Sequence, residues 1–146
     1  MAETRVIVEA EVRPTEDREK VLKAVKNIIE PDIVRFERVG RVEVLVAESN
    51  SLSSLARLHS MLRAERILDA ARSALRKGIQ GEDRLVVHLH KQAAYTGRIS
   101  FVGGDHESPM GAIRLTIEYR RVKDVIDWLA PPTVRGRPVF QRDMPI

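Results

Sequence analysis

An α+β fold is what this sequence predicts: a largely antiparallel sheet with two main helices packed on one face. Three observations carry that expectation. Several segments alternate apolar and polar residues with a period of two, the mark of a half-buried strand. Two other segments repeat their apolar residues at helical spacing. Gly40 divides two adjacent strand-like runs, as in a tight antiparallel hairpin.

The elements follow in order. Across Thr4–Arg13, Val6, Val8, Ala10 and Val12 alternate with Arg5, Glu9, Glu11 and Arg13. Pro14-Thr15 breaks this strand and opens a helix with Glu16, Asp17 and Glu19 in its first turns, where acidic groups favour the positive end of the helix dipole. Val21, Leu22, Val25, Ile28 and Ile29 form its apolar stripe, and Glu30-Pro31-Asp32 ends it. Strands are expected over Ile33–Val39 and Arg41–Glu48, with Val42, Val44 and Val46 alternating against Arg41 and Glu43. Ser49-Asn50-Ser51 is a turn that supplies helix caps. A long helical stretch then reaches Lys77, with a break near Arg63 and a core stripe of Ile67, Leu68, Ala71, Ala74 and Leu75. Gly78 fits its C-cap.

The last third is rich in strands. Leu85, Val87 and Leu89 point inward from Arg84–His90. Ile99 with Phe101 makes a short strand, and Ile113, Leu115, Ile117 and Tyr119 a longer one. Val122–Leu129 reads as a short helix carrying Trp128. Residues 1–130 are expected to form one domain, followed by a Pro/Arg-rich tail over 131–146 that is either extended along the surface or disordered. The uncovered sheet face should hold Arg5, Glu9, Arg41, Glu43, His88, His90, Arg98, Arg114, Thr116 and Glu118, with Ile7, Leu45, Val86 and Val102 of the same parity.

Composition narrows the function. With 146 residues the chain can build a core unaided, and with no cysteine it has neither disulfides nor thiolate metal sites. No apolar run approaches ~18 residues and no signal-peptide pattern opens the chain, so a cytoplasmic protein without membrane association is expected. Abundant charge with few Asn and Gln suits work at high temperature. The net charge of +4 is unevenly spread. Residues 1–50 hold nine Lys/Arg and eleven Asp/Glu, residues 51–100 nine and four, and residues 101–146 seven and six. The middle third therefore carries the positive excess, as an anion-binding surface would.

The run Lys91-Gln92-Ala93-Ala94-Tyr95-Thr96-Gly97-Arg98-Ile99-Ser100-Phe101 reads as a strand interrupted by a bulge or turn. Gly97 opens backbone shapes closed to other residues, and Ala93-Ala94 permit close approach of another backbone. Lys91 and Arg98 could hold phosphates, Gln92 could hydrogen-bond a base edge or 2′-hydroxyl, and Tyr95 could stack on an unpaired base. The alternative for Tyr95 is a structural corner with its ring in the core. On the long helix Arg66, Arg72, Arg76 and Lys77 lie away from the apolar stripe, as a phosphate-binding face or a solvated one. The loop Gly103–Gly111 is either an anion cradle of backbone N–H groups, with Pro109 a place for a cis bond, or a plain hairpin connection.

The blocks Arg66-Ile67-Leu68-Asp69-Ala70-Ala71-Arg72, Lys91–Phe101 and Ser108-Pro109-Met110-Gly111-Ala112-Ile113 resemble an archaeal family, Uncharacterised Protein Family 0201. The resemblance implies RNA binding and a fold like that of ribosomal protein five of the large subunit, and it implies no reaction. The family usually carries asparagine at the position of His90.

The leading expectation is thus an RNA-binding protein without catalysis or cofactor, contacting phosphates through Lys91, Gln92, Tyr95, Arg98, Arg66, Arg72, Arg76 and Lys77. Two others compete with it. One is an assembly module dimerising through the exposed sheet face. The other is a metal-dependent hydrolase on His88, His90 and His106, since His-x-His on a strand puts two imidazoles on one side.

Overall fold

The structure, a computed structural model, describes residues 3–103 and 111–146. Six strands form one sheet in the order β2-β3-β1-β6-β4-β5, and every neighbouring pair is antiparallel. The strands are β1 (Arg5–Val12), β2 (Ile33–Val39), β3 (Val42–Ser49), β4 (Arg84–His90), β5 (Phe101–Val102) and β6 (Ala112–Glu118). Five helices accompany them: α1 (Arg18–Ile28), α2 (Ala56–Ala64), α3 (Leu68–Lys77), α4 (Lys91–Tyr95) and α5 (Val122–Leu129). The expected α+β architecture is the one observed, with the second expected helix divided into α2 and α3.

One apolar cluster holds the two layers together. Val6, Val8 and Ala10 of β1 meet Leu85, Val87 and Leu89 of β4 and Ile113, Leu115 and Ile117 of β6. Val21, Val25 and Ile28 of α1, Leu58 and Leu62 of α2, Leu75 of α3 and Val125, Ile126 and Leu129 of α5 close over them.

Strand β3 departs from the expected parity. Its register sets Ala10 opposite Leu45 and Val8 opposite Ala47, so Leu45 and Ala47 face the helices and Val44 and Val46 face away. The run from Val44 to Ala47 is apolar throughout and carries no alternation of its own; pairing with β1 decides its parity. Glu43 accordingly sits on the helix side, where Arg18 of α1 pairs with it. Arg18 holds the Glu43 carboxyl below the usual carboxylate range through that hydrogen bond. Strands β2 and β3 join through a two-residue turn in which Gly40 has φ +65°, as the first central residue of a type II′ turn requires.

The break between α2 and α3 falls where the sequence placed it, and its geometry is specific. Ile67 N–H donates to Leu62 O at 3.1 Å and Arg66 N–H to Arg63 O at 3.1 Å, the bond pair of a Schellman motif. The residue in its left-handed position is Arg66, at φ +55°. Left-handed backbone costs a non-glycine residue roughly 1–2 kcal/mol. At the far end of α3, a side chain on Gly78 would meet Val86 O at 2.1 Å, so this glycine serves helix–strand approach as well as the C-cap.

The C-terminal segment is extended along the surface rather than disordered. Strands β7 (Thr133–Val134) and β8 (Arg137–Pro138) form a small hairpin. Thr133 Oγ1 donates to Asp69, and Arg63 Nη2 donates to Gln141 Oε1 at 3.0 Å, which ties the hairpin to α2 and α3. Residues 104–110, including the expected anion cradle, the Ser108-Pro109 bond and His106, lie outside the described residues.

Candidate nucleic-acid interface

The run Lys91–Phe101 is not an interrupted strand. It begins as the short helix α4, capped at its N-terminus by His90, whose Nδ1 accepts from Ala93 N–H at 3.1 Å. Gly97 at φ +82° ends it in a second Schellman motif, in which Arg98 N–H donates to Ala93 O at 2.9 Å and Gly97 N–H to Ala94 O at 3.0 Å. Lys, Gln and Ala are good helix formers, and a glycine follows them at the C′ position, which was a legible signal. Asparagine is among the best N-cap residues, so His90 performs the task that the asparagine implied by the resemblance would perform.

The helix carries Lys91 inward. Its side chain is only 3% exposed as a residue, and Nζ donates to Glu11 O at 2.7 Å and to Glu16 Oε1 at 3.1 Å. Lys91 is therefore a structural cation, not a phosphate contact. Glu16 is available because α1 starts at Arg18, after the Asp17 cap, leaving Glu16 in the preceding turn. Arg72 is corrected in the same way. It reaches back to α5, where Nη1 donates to Asp127 Oδ1 at 2.9 Å and to Ala130 O at 3.1 Å.

Tyr95 is neither fully buried nor fully exposed. Its ring is half-buried against the core, and Lys23 and Lys20 of α1 place their ammonium groups 4.9 and 5.9 Å from its centroid. Asn27 Nδ2 donates to Ala94 O at 2.8 Å, fixing α4 on α1. Between α1 and α4 lies a cleft of about 380 Å³ whose lining includes Lys20, Gln92 and Tyr95.

The remaining site residues are exposed: Gln92, Arg98, Arg66, Arg76 and Lys77. Arg98 and Arg66 belong to one corner, because the Glu65 carboxylate accepts from Ile99 N–H at 2.9 Å and so docks the end of α4 on the end of α2. Arg76 and Lys77 lie at the other end of α3, about 15 Å along its axis at 1.5 Å per residue.

Sequence reasoning missed three arginines at that corner. A cleft of about 560 Å³ is lined by Arg63 and Arg66 from the α2–α3 break, Asp69 from α3, and Arg135 and Arg137 from the hairpin. Arg63 forms its floor, donating to the main-chain oxygens of His59, Leu129 and Trp128. Burial lowers its guanidinium pKa from the usual value. The signal for Arg135 and Arg137 was present in the basic tail, but its position depended on Asp69 and Gln141 contacts that no local pattern reveals.

The sheet's uncovered face is arranged differently. Arg5 Nη2 lies 2.7 Å from Glu48 Oε1 and Nη1 3.5 Å from Glu118 Oε1; Arg35 pairs with Glu37 at 2.5 Å and also with Glu48. Hydrogen bonds from Arg35 and Arg5 hold the Glu48 carboxyl below its ordinary range. Val46 and Thr116 are buried within this charged surround. Arg98 and Leu45, expected on this face, are elsewhere: Arg98 follows α4, and Leu45 faces the helices.

Of the three histidines of the expected metal site, His88 and His90 are described. His90 Nδ1 is engaged as the α4 cap, and His88 stands on the open face opposite Arg114 in the β4–β6 register, beside a cation. Among the described residues no group of three or more His, Asp or Glu is placed to hold a metal ion. No described helix is long and apolar enough to cross a membrane.

Sheet, helical layer and corner define an α+β protein with exposed arginines gathered at the α2–α3 break. Residues 5–119 match a family model described as RNA binding. A UPF0201 protein of Aeropyrum pernix is 73% identical over 141 residues, which span 97% of this chain and 94% of the relative. One from Metallosphaera sedula is 51% identical, with 97% of this chain and 98% of the relative covered. The crystal structure of a UPF0201 protein from Methanococcus jannaschii superposes with a TM-score of 0.79 at 32% identity, covering 93% of this chain and 99% of that one. The chain belongs to the archaeal UPF0201 family.

Proposed function

We propose that this chain binds RNA, without catalysing a reaction, by holding phosphates on its helical side. Arg66 and Arg98 form the centre of that surface, Arg76 and Lys77 extend it along α3, and Gln92 borders it. The observation that carries the reading is that these cations are exposed and have no ion-pair partner among the described residues, whereas the open-face cations Arg5 and Arg35 are neutralised by Glu48, Glu118 and Glu37. Free cations can displace the counterions condensed on phosphates; paired ones must first give up an acid. The RNA-binding description of the family supports the same reading, and a cytoplasmic location accords with it.

Contacts to about four phosphates give a slope near −3 to −4 for log K against log salt. A filter-binding titration at two salt concentrations with bulk and structured RNA tests this. Retention at low salt that falls steeply as salt rises is expected; no retention of either RNA at low salt refutes the reading.

A second reading, assembly through the sheet, is favoured by the edge strand β2. Ile33, Phe36 and Val39 are 58%, 37% and 63% exposed there, on a strand whose outer backbone groups have no neighbouring strand. Light scattering at high micromolar concentration distinguishes the dimer expected on this reading from a monomer, which removes it.

A further inference from the structure

The two non-glycine residues with positive φ among the described residues are both arginines, Arg66 at +55° and Arg135 at +53°. They come from segments far apart in the chain, and both line the 560 Å³ cleft between the α2–α3 break and the C-terminal hairpin. Each occupies a position whose backbone favours another residue. Arg66 holds the C′ site of a Schellman motif, where glycine is usual. Arg135 precedes Gly136, at φ +78°, in the two-residue turn between Val134 and Arg137. Positive φ at both central positions makes this a type I′ turn, whose first position favours Asn, Asp or Gly. Backbone preference selects against arginine at both sites, so the side chains must supply the reason for it.

The charges in the cleft point the same way. Arg66, Arg135 and Arg137 are exposed and have no ion pair among the described residues. Arg63 adds a fourth guanidinium at the floor, already held by main-chain oxygens. The one acid in the lining, Asp69, accepts from Thr133. The α3 N-terminus opens into the cleft at Leu68 and Asp69, and its N-cap residue Ile67 makes no side-chain cap bond to the first-turn amides. Gathered guanidinium groups beside the positive end of a helix dipole repel one another unless an anion sits among them.

We infer that this cleft is a phosphate-binding pocket for RNA, in which Arg66, Arg135 and Arg137 grip one phosphate group and Arg63 braces the floor. The inference rests on the RNA-binding reading and deepens it, because the hairpin lies beyond the residues 5–119 that match the family model. Guanidinium forks match phosphate oxygens in pairs, which a lysine cluster would not do as well.

The test uses asparagine, which tolerates left-handed backbone, so that charge is removed without adding strain. Wild type, Arg66→Asn/Arg135→Asn and Arg137→Gln are compared for thermal melting and for binding to one RNA prepared with a 5′-hydroxyl and with a 5′-phosphate. The expected result is a double variant that melts at the same or a higher temperature, binds RNA about tenfold or more weakly, and loses up to about one unit of salt slope, the share of one phosphate. Arg137→Gln should weaken binding and lose part of that same unit. An equal loss on both RNAs identifies a backbone phosphate as the occupant; a loss confined to the 5′-phosphorylated RNA identifies a terminal one. Wild type that binds RNA while the double variant binds it equally well overturns the pocket and leaves the RNA-binding reading standing. Wild type that retains neither RNA at low salt overturns that reading, and the pocket with it. A double variant that melts early and loses binding is resolved by Arg137→Gln, whose position has no positive φ: normal melting with normal binding there overturns the pocket, and normal melting with weakened binding supports it.

Discussion

The open sheet face and the α2–α3 corner both carry arginines, and they treat them in opposite ways. On the sheet, Arg5 and Arg35 pair with acids, Arg5 across strands with Glu48 and Glu118, and Arg35 across strands with Glu48 and along its own strand with Glu37. At the corner, Arg66, Arg135 and Arg137 share a cleft with a single acid, and two of them hold unfavourable backbone. Cross-strand pairing adds a little to stability at every pair. Unpaired, strained cations cost stability, which suits a surface built to meet an anion from outside. Counting arginines along the sequence cannot separate the two; what each faces decides.

The largest test of that distinction concerns Lys91, which resembles a surface cation in sequence and is buried with Glu16 in the fold. Removing one partner of a buried pair leaves the other charged and unsolvated, so Lys91→Ala should cost about 3–5 kcal/mol in urea unfolding. Arg98→Ala, at an exposed residue with no ion pair among the described residues, should stay within ~0.5 kcal/mol. Similar costs for the two would break the division into structural and available cations.

A second pair should differ in sign. Arg66→Gly relieves the left-handed backbone and should raise stability by up to about 1 kcal/mol, less what glycine's unfolded-state freedom takes back. Arg35→Ala loses exposed ion pairs and should lower it by up to about 1 kcal/mol. His90 supplies a third test of about the same size: His90→Ala should cost about 1 kcal/mol and His90→Asn close to nothing, because asparagine restores the α4 cap.

The smallest effect is a pH dependence beneath the corner. His59 stacks on Trp128 with ring centroids 5.0 Å apart, and burial, followed by the neighbouring Arg63 charge, lowers its pKa from 6.5. Below 6.5 the unfolded chain takes up a proton that folded His59 resists, so the unfolded state binds more protons and stability falls as pH drops through that value. Melting temperature followed from pH 7 to pH 5 should show this decline in wild type and a shallower one in His59→Phe, which keeps the stack.

Much of the fold was legible because its strands are bounded on one side by core and on the other by water. β1, β4 and β6 alternate cleanly, and the α2–α3 break appeared as an interruption of the helical stripe. β3 was not legible, because Val44, Leu45, Val46 and Ala47 offer no polar residue to mark a face. The site was legible only as an inventory. Arg66, Arg98, Arg76 and Lys77 are exposed, though Arg98 lies off the sheet face where it was expected, while Lys91 and Arg72 were turned inward by Glu16 and Asp127, partners 75 and 55 residues away. Arg135 and Arg137 gained their position from hairpin contacts that no local pattern encodes.

The central claim, that position and not total charge makes the RNA surface, is tested by two variants of equal charge. Arg66→Gln/Arg98→Gln and Arg5→Gln/Arg35→Gln each remove two positive charges from a net of +4. RNA binding measured across a series of salt concentrations should show the slope of log K against log salt become shallower by about two units in the corner variant and by well under one in the sheet variant. Equal losses in the two, or a larger loss in the sheet variant, would contradict the account.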